Sequence, residues 1–249
     1  MNEYERIGRG YNERRRADPR LARAIADALA GAGRVVNVGA GAGSYEPVGA
    51  GAVAVEPAAA MIAQRPAGAA PCVRGRAERL PFGDAAFDAA LAVLTVHHWT
   101  DWRAGVRELR RVARGRVVLF TWDPDSDGFW LLRDYLPEML AEDRRRFPGL
   151  GALREELGGA RVRPVPIPHD CSDGFLGAYW RRPEAYLDPA IRRSISSFAR
   201  DDFAGALARL AADLGSGAWA RAHARLLQKP ELDIGYRLVV AARADQEPL

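Results

Sequence analysis

Residues 35–47 read VVNVGAGAGSYEP, a short apolar run followed by Gly39, Gly41 and Gly43 alternating with alanines. A glycine-rich turn between a buried strand and a helix start bends tightly and lets a ligand approach the backbone with no Cβ in the way. A tight turn that binds nothing would use the same residues. Glu56 lies 17 residues after Gly39, at the end of a second apolar run, AVAVEP. A carboxylate there can accept both hydroxyls of a ribose, although alone it reads as a solvated acid at a strand end. Together the two features point to a ribose-bearing cofactor. The spacing departs from the dinucleotide pattern G-x-G-x-x-G. The third glycine comes one position early, and Ser44 stands where that pattern has glycine.

Proton-transfer chemistry has its candidates in His97 and His98, just beyond the apolar run FDAALAVLTV. An imidazole titrates near neutrality, and strand ends in an open parallel sheet face the ligand crevice. A histidine that only shapes the pocket wall is the competing reading for both. His169 sits beside Asp170 next to a long insertion and could face a substrate or simply solvent, and His223 falls in a helical pattern without a nameable partner. Aromatic residues cluster outside these stretches. Trp122 ends the fifth strand pattern, and Tyr179 and Trp180 lie in GFLGAYW of the insertion. These three would line an apolar pocket for a small acceptor if they are not core.

The elements that must position these groups alternate in type from residue 18 to 123, which predicts a parallel sheet with crossover helices. DPRLARAIADALAG opens with Asp18 as N-cap and Pro19 at the first helical position. RVVNVGA, AVAVEP, PCVRG, FDAALAVLTV and GRVVLFTWD read as five strands, and DWRAGVRELRRVAR as a helix. Beyond Asp123 the helical pattern FWLLRDYLPEMLAEDRRRF is interrupted by Pro137, and LGALREELGG is stopped by glycines. ARVRPVPIP (160–168) and DIGYRLVVAAR (the strand placed at 232–243) read as a final antiparallel pair, the prolines of the first suiting an edge. Segments 124–148 and 170–229 read as helical lid insertions. The expected architecture is a single doubly wound, Rossmann-like α/β domain over 1–249, with a seven-stranded sheet, an antiparallel last strand, a cofactor-binding core at 18–123 and a helical lid.

The totals narrow the function. The 249 residues suit one elaborated α/β domain, and 48% hydrophobic with 27% charged residues is ordinary for a globular protein. No apolar run reaches the length of a membrane span, and the charged N-terminus MNEYERIGRG lacks a signal-like apolar stretch, so a cytoplasmic protein is expected. The net charge is +4, but 35 of the 36 basic residues are arginine and they are interleaved with 32 acids. That pattern fits a GC-rich genome better than a nucleic-acid reader, which shows a wider basic face. Cys72 and Cys171 match no zinc spacing, and no metal is expected.

Residues 34–123 resemble the class I S-adenosylmethionine-dependent methyltransferases, in the broad type 11 group acting on small molecules. NVGAGAG, VEPAAAM, GRAERLPFGDAAFD and LAVLTVHHW resemble four of the family's motifs in order and at its usual spacing, the third being the most specific. The resemblance implies S-adenosylmethionine as cofactor, S-adenosylhomocysteine as product and a small-molecule acceptor. It implies that Gly39, Gly41 and Gly43 lie against the methionine part and ribose, and that Glu56, followed by Pro57, holds the ribose hydroxyls. Met61 would pack on the adenine, Ala77 and Glu78 would meet its edge, and Leu94 and Thr95 would line the sulfonium end. The N-terminal GRGYNERRRADP is similar to a segment of relatives with such a lid. Tyr11 would close over the methionine and Arg15 or Arg16 would pair with its carboxylate, unless these arginines are a solvated helix approach.

Two positions depart from the family pattern. Asn37 stands where an acid is usual, and Arg76 where an Asp often precedes the residue matched by Ala77. An amide hydrogen-bonds but adds no charge. Two alternatives therefore stay open beside methyl transfer to oxygen, nitrogen, sulfur or carbon. One is a protein that binds S-adenosylmethionine without transferring methyl, as a sensor or cyclase-like scaffold. The other is an NAD-dependent oxidoreductase, which the shifted glycine spacing disfavours.

Overall fold

The computed structural model describes residues 15–47, 49, 51–199 and 202–242. Nine strands and eight α-helices are found among them, joined by short 3-10 and π turns. The strands are β1 (Val35–Val38), β2 (Ala52–Glu56), β3 (Cys72–Arg74), β4 (Phe87–Val93), β5 (Ala113–Trp122), β6 (Arg161–Pro164), β7 (Ile167–Pro168), β8 (Glu231–Leu232) and β9 (Tyr236–Ala242). Seven of them form one sheet in the order β3-β2-β1-β4-β5-β9-β6. The first five run parallel, while β9 pairs antiparallel with both β5 and β6. This is the Rossmann-like arrangement expected, with a reversed last strand. The order turns back between β1 and β4, where a doubly wound sheet opens its ligand crevice.

The strands alternate between two apolar layers, with one break at the register shift between Phe87 and Ala89 of β4. Val36, Ala90, Ala92, Val117 and Leu119 face one core with Val106, Leu109 and Val112 of helix α3 (Trp102–Val112). Val35, Ala89, Leu91, Val118 and Phe120 face the other, with Leu21 and Ile25 of helix α1 (Pro19–Ala28) and most of the insertions. Because strand side chains have period two, this alternation fixes the register. The caps follow the sequence: Asp18 accepts from the Arg20 amide and Asp101 from the Ala104 amide, at 2.9 and 3.0 Å.

Two elements differ from expectation. The single strand read at 160–168 is split. β6 stays at the sheet edge, as its prolines suggested, and β7 leaves to pair with β8 in a separate two-stranded ladder. Pro164, Pro166 and Pro168 have no N–H to donate, so one continuous ladder cannot run through them. The fourth strand ends at Val93, because Leu94 adopts φ +50° and turns the chain into a 3-10 turn at Val96–His98. Among the further helices, α2 is Ala59–Ile62, α4 Pro137–Arg146 and α5 Leu150–Glu156; the 170–229 insertion carries α6 (Pro189–Arg193), α7 (Ala204–Gly215) and α8 (Ala218–Ala222). Pro137 starts α4 as its N1 residue, where the missing N–H costs nothing.

Candidate active site

A cavity of about 430 Å³ opens at the carboxyl ends of β1, β2 and β4, within the about 300–1,000 Å³ usual for ligand sites. Its floor is the glycine turn. Gly39 takes φ +71° and Gly41 +53°, a region L side chains avoid. A Cβ on Gly39 would fall 2.1 Å from the Thr95 Oγ1. Gly39 therefore brings the β1 turn against the end of β4, while Gly41 sits under the Met61 methyl at 3.3 Å from its would-be Cβ. Gly43, φ +97°, completes the turn against the Arg65 guanidinium and is not part of the cavity wall.

The Glu56 carboxylate is buried at the cavity edge. One oxygen accepts from the Gly41 amide and the other from the Ala58 amide, both at 2.9 Å. These two bonds, one to each oxygen, fix the orientation of the carboxylate at the cavity edge. Asn37 is buried in the same wall, and its Oδ1 accepts no hydrogen bond from the described residues. A buried amide oxygen left in this state suits a ligand that brings its own donor. Pro57, Met61, Arg76, Ala77 and Glu78 also line the cavity. Glu78 also accepts from the amides of Thr100 and Asp101, at 2.8 and 3.3 Å, so it holds the loop before α3.

A second cavity, about 70 Å³, adjoins the first. Arg15, Leu94 and His98 line both. Trp122, Phe129, Phe147 and Phe175 supply flat apolar walls, with Tyr236 and the buried Asp143 among them. His97 belongs to this cavity alone, its ring stacked on Phe147 with centroids 3.9 Å apart and tilted on His98 at 3.9 Å. Trp122 is fixed by its indole N–H, which donates to the Ile234 carbonyl at 2.8 Å.

Arg15 reaches the junction of the two cavities held by a buried acid. Its Nε donates to Asp173 Oδ1 at 2.8 Å, with the Arg15 side chain 12% and the Asp173 side chain 0% exposed. The Tyr45 hydroxyl donates to the other Asp173 oxygen at 3.0 Å. Burial, with Asp173 beside it, raises the Tyr45 phenol far above its ordinary value, so it stays a donor. The network joins the N-terminal segment, the glycine turn and the insertion in one place.

A methyltransferase-domain family model matches residues 30–121. A protein of Anabaena variabilis, provisionally assigned as a methyltransferase of an antibiotic biosynthesis pathway, is 33% identical to the chain. Its crystal structure superposes with a TM-score of 0.82 over 92% of this chain and 99% of that one. The chain belongs to the class I S-adenosylmethionine-dependent methyltransferases. The demethylmenaquinone methyltransferase of Mycolicibacterium paratuberculosis is 29% identical over 142 residues, 49% of this chain and 56% of that protein, so the chain spans about half the length of that curated relative. YcgJ of Bacillus subtilis shares the fold, with a TM-score of 0.56 and 20% identity over 91% of this chain and 99% of that one.

In this methyltransferase most residues singled out from the sequence come together. Asn37, Gly39, Gly41, Glu56, Pro57, Met61, Ala77, Glu78, Leu94, Thr95, His98 and Arg15 line the larger cavity. Tyr11 lies outside the described residues. Three candidates for the substrate side stand elsewhere. Trp180 is fully buried in the insertion core, its indole donating to the Ile167 carbonyl at 2.8 Å. Tyr179 packs beside it against Tyr186, and neither borders a cavity described above. His169 faces outward, its Nδ1 3.1 Å from the Pro230 carbonyl. Conversely, Ser44, Tyr45, Thr100 and Arg146 line the larger cavity without having been singled out for it, as do Asp143, Phe147 and Tyr236 in the smaller. Ser44 and Tyr45 directly follow the glycines, and that adjacency was the available signal. No cluster of three or more His, Cys, Asp or Glu side chains suited to a metal occurs among the described residues. No described helix is long and apolar enough to cross a membrane.

Proposed function

We propose that the larger cavity holds S-adenosylmethionine and that the protein transfers its methyl group to a small molecule. The observation that carries this reading is the Glu56 carboxylate, clamped between the Gly41 and Ala58 amides at the rim of a cavity floored by the glycine turn. Glu56 would take the ribose hydroxyls, and Met61, Ala77 and Glu78 the adenine. The Asn37 Oδ1, without a hydrogen-bond donor among the described residues, would accept from the amino group, as the side chain of this chain that replaces the family's usual acid. Arg15, at the junction of the cavities, would face the carboxylate end.

When bound, the sulfonium supplies an electrophilic methyl group and leaves as a neutral thioether. The chain's own residues orient, desolvate and accept a proton. Leu94 and Thr95 at the end of β4 would separate the sulfonium end from water. His98 borders both cavities, so its imidazole is placed to take a proton from an acceptor that must lose one. His97, stacked on Phe147, would hold the wall that orients His98. The demethylmenaquinone methyltransferase similarity supports a small-molecule acceptor over nucleic acid.

Calorimetric titration with S-adenosylmethionine, S-adenosylhomocysteine and NAD tests the assignment. Binding of the first two without NAD is the expected result. Binding of NAD alone would overturn it.

A further inference from the structure

We propose that Arg65 and Glu46 are positioning residues of the cofactor site. From behind the glycine turn this buried ion pair holds the Gly41 backbone and, through it, the Glu56 carboxylate that meets the ribose. This rests on the reading of the larger cavity as the S-adenosylmethionine site. Neither Arg65 nor Glu46 borders a cavity described above, so the pair acts through the turn and not on the ligand. Gly41 has φ +53°, and the peptide groups on its two sides must be kept in the mutual orientation this requires. Each is held by a side chain. The Gly41 amide donates to Glu56 at 2.9 Å, and the Gly41 carbonyl accepts from Arg65 Nη1 at 3.3 Å. The hold closes on itself through α2. The Ala58 amide ahead of that helix donates to the second Glu56 oxygen at 2.9 Å, and the Arg65 amide just beyond it donates to the Ile62 carbonyl at 3.1 Å. Glu56, the turn, Arg65 and α2 form one ring of bonds at the edge of the cavity.

The chemistry of the pair fits placement better than stability alone. The Arg65 side chain is 6% exposed and that of Glu46 9%. Taking two charges out of water is costly, and apolar residues of similar size often stabilise a fold as well or better. What the pair supplies is direction. A guanidinium is a planar fork whose donors have fixed positions. Its Nη1 meets the Gly41 carbonyl, while Nη2 donates to Glu46 and, at 3.1 Å, to the Ala70 carbonyl. The other Glu46 oxygen accepts from the Ala70 amide at 2.7 Å. The Glu46 amide donates in turn to the Gly43 carbonyl at 3.3 Å, at the far end of the glycine turn. The segment ahead of β3 thus fixes Glu46, Glu46 fixes the plane of the guanidinium, and the guanidinium fixes the Gly41 carbonyl.

The experiment titrates the full chain with S-adenosylhomocysteine by calorimetry, with a thermal melt of each variant to show that it is folded. Arg65→Met keeps an unbranched stem and removes the donors. It is expected to weaken S-adenosylhomocysteine binding by about tenfold. In the Glu56→Ala background the same change should weaken binding by no more than about twofold, because the group it positions is gone. A residue that only stabilised the fold would leave the affinity of the folded protein unchanged in both backgrounds. Glu46→Gln keeps the side-chain size and one acceptor, and it carries the test if Arg65→Met does not fold. Its expected loss is about threefold, again absent without Glu56. Wild-type affinity in the folded variant overturns the proposal while the cofactor site stands. An equal loss with and without Glu56 overturns it as well. If the wild-type chain does not bind S-adenosylhomocysteine, the cofactor reading fails and this assignment with it.

Discussion

The Glu56 carboxylate and the Gly41 amide are joined by a 2.9 Å hydrogen bond that ties the end of β2 to the turn after β1. The same carboxylate holds the Ala58 amide ahead of α2, so one side chain shapes two walls of the cavity. Glu56→Ala is expected to lower affinity for S-adenosylhomocysteine by about 10- to 100-fold, the effect of losing charge-assisted bonds worth about 1.5–3 kcal/mol. Glu56→Gln, which keeps one acceptor, should fall between. Calorimetric titration reads both. Wild-type affinity in Glu56→Ala would remove this residue from the site.

Gly39 and Thr95 define the approach of the two strand ends. Gly39→Ala places a methyl 2.1 Å from the Thr95 Oγ1 in a backbone with φ +71°. Left-handed strain and overpacking together predict a loss of about 2–4 kcal/mol in urea-melt stability. Adding Thr95→Ala removes the Oγ1 and Cγ2 but leaves Cβ 2.8 Å away, so partial recovery is expected. Full stability in Gly39→Ala alone would mean that the close approach is not maintained in solution.

The legible part of the site is the part built from local sequence. Gly39, Gly41 and Glu56 carry a spacing that turn and strand geometry impose, and the parallel direction of β1 and β2 places them at one end of the sheet. The family motifs extended that to Ala77, Glu78, Leu94 and Thr95. Asp173 and Asp143 carried no such signal. Each is one acid in an irregular or helical stretch, and tertiary folding of the insertions alone brings it beside Arg15 or the aromatic walls. Aromatic residue type was equally ambiguous. Trp122 and Trp180 look alike in sequence, and both donate an indole N–H to a backbone carbonyl. They differ in that Trp122 borders a cavity and Trp180 is enclosed on all sides. The split at Pro164–Pro168 shows the same limit in the fold: prolines mark an edge, but where the chain goes next depends on β8, more than 60 residues away.

Asp173 links Arg15 and Tyr45 across three segments of the chain. Asp173→Ala leaves a buried guanidinium and a buried phenol without their acceptor and is expected to cost about 3–5 kcal/mol. Tyr45→Phe removes two hydrogen bonds, the one donated to Asp173 and the one accepted from the Asp18 amide, and should cost about 1–3 kcal/mol. In the Asp173→Ala background the Tyr45→Phe change should cost less, giving a coupling of about 0.5–3 kcal/mol in a double-mutant cycle. Additive effects would show that the three side chains do not act as one network.

His223 gives the insertion a pH dependence. Its ring packs on Trp219 at 4.9 Å and on Trp130 at 5.4 Å, with its Nε2 3.7 Å from an Asp134 oxygen. Burial pushes the imidazole below its ordinary value of 6.5, the neighbouring Asp134 opposing and Arg133 reinforcing the shift. The unfolded chain therefore binds a proton more readily than the folded one, and this residue's contribution to stability increases with pH. Its contribution is present above about pH 6.5 and is lost as pH falls from there through the lower folded value. Thermal melts from pH 8 to 5 should show Tm falling in that window. His223→Gln, neutral throughout, should flatten the fall even if its Tm at pH 8 is lower. An unchanged pH profile in His223→Gln would assign the acid sensitivity to other groups.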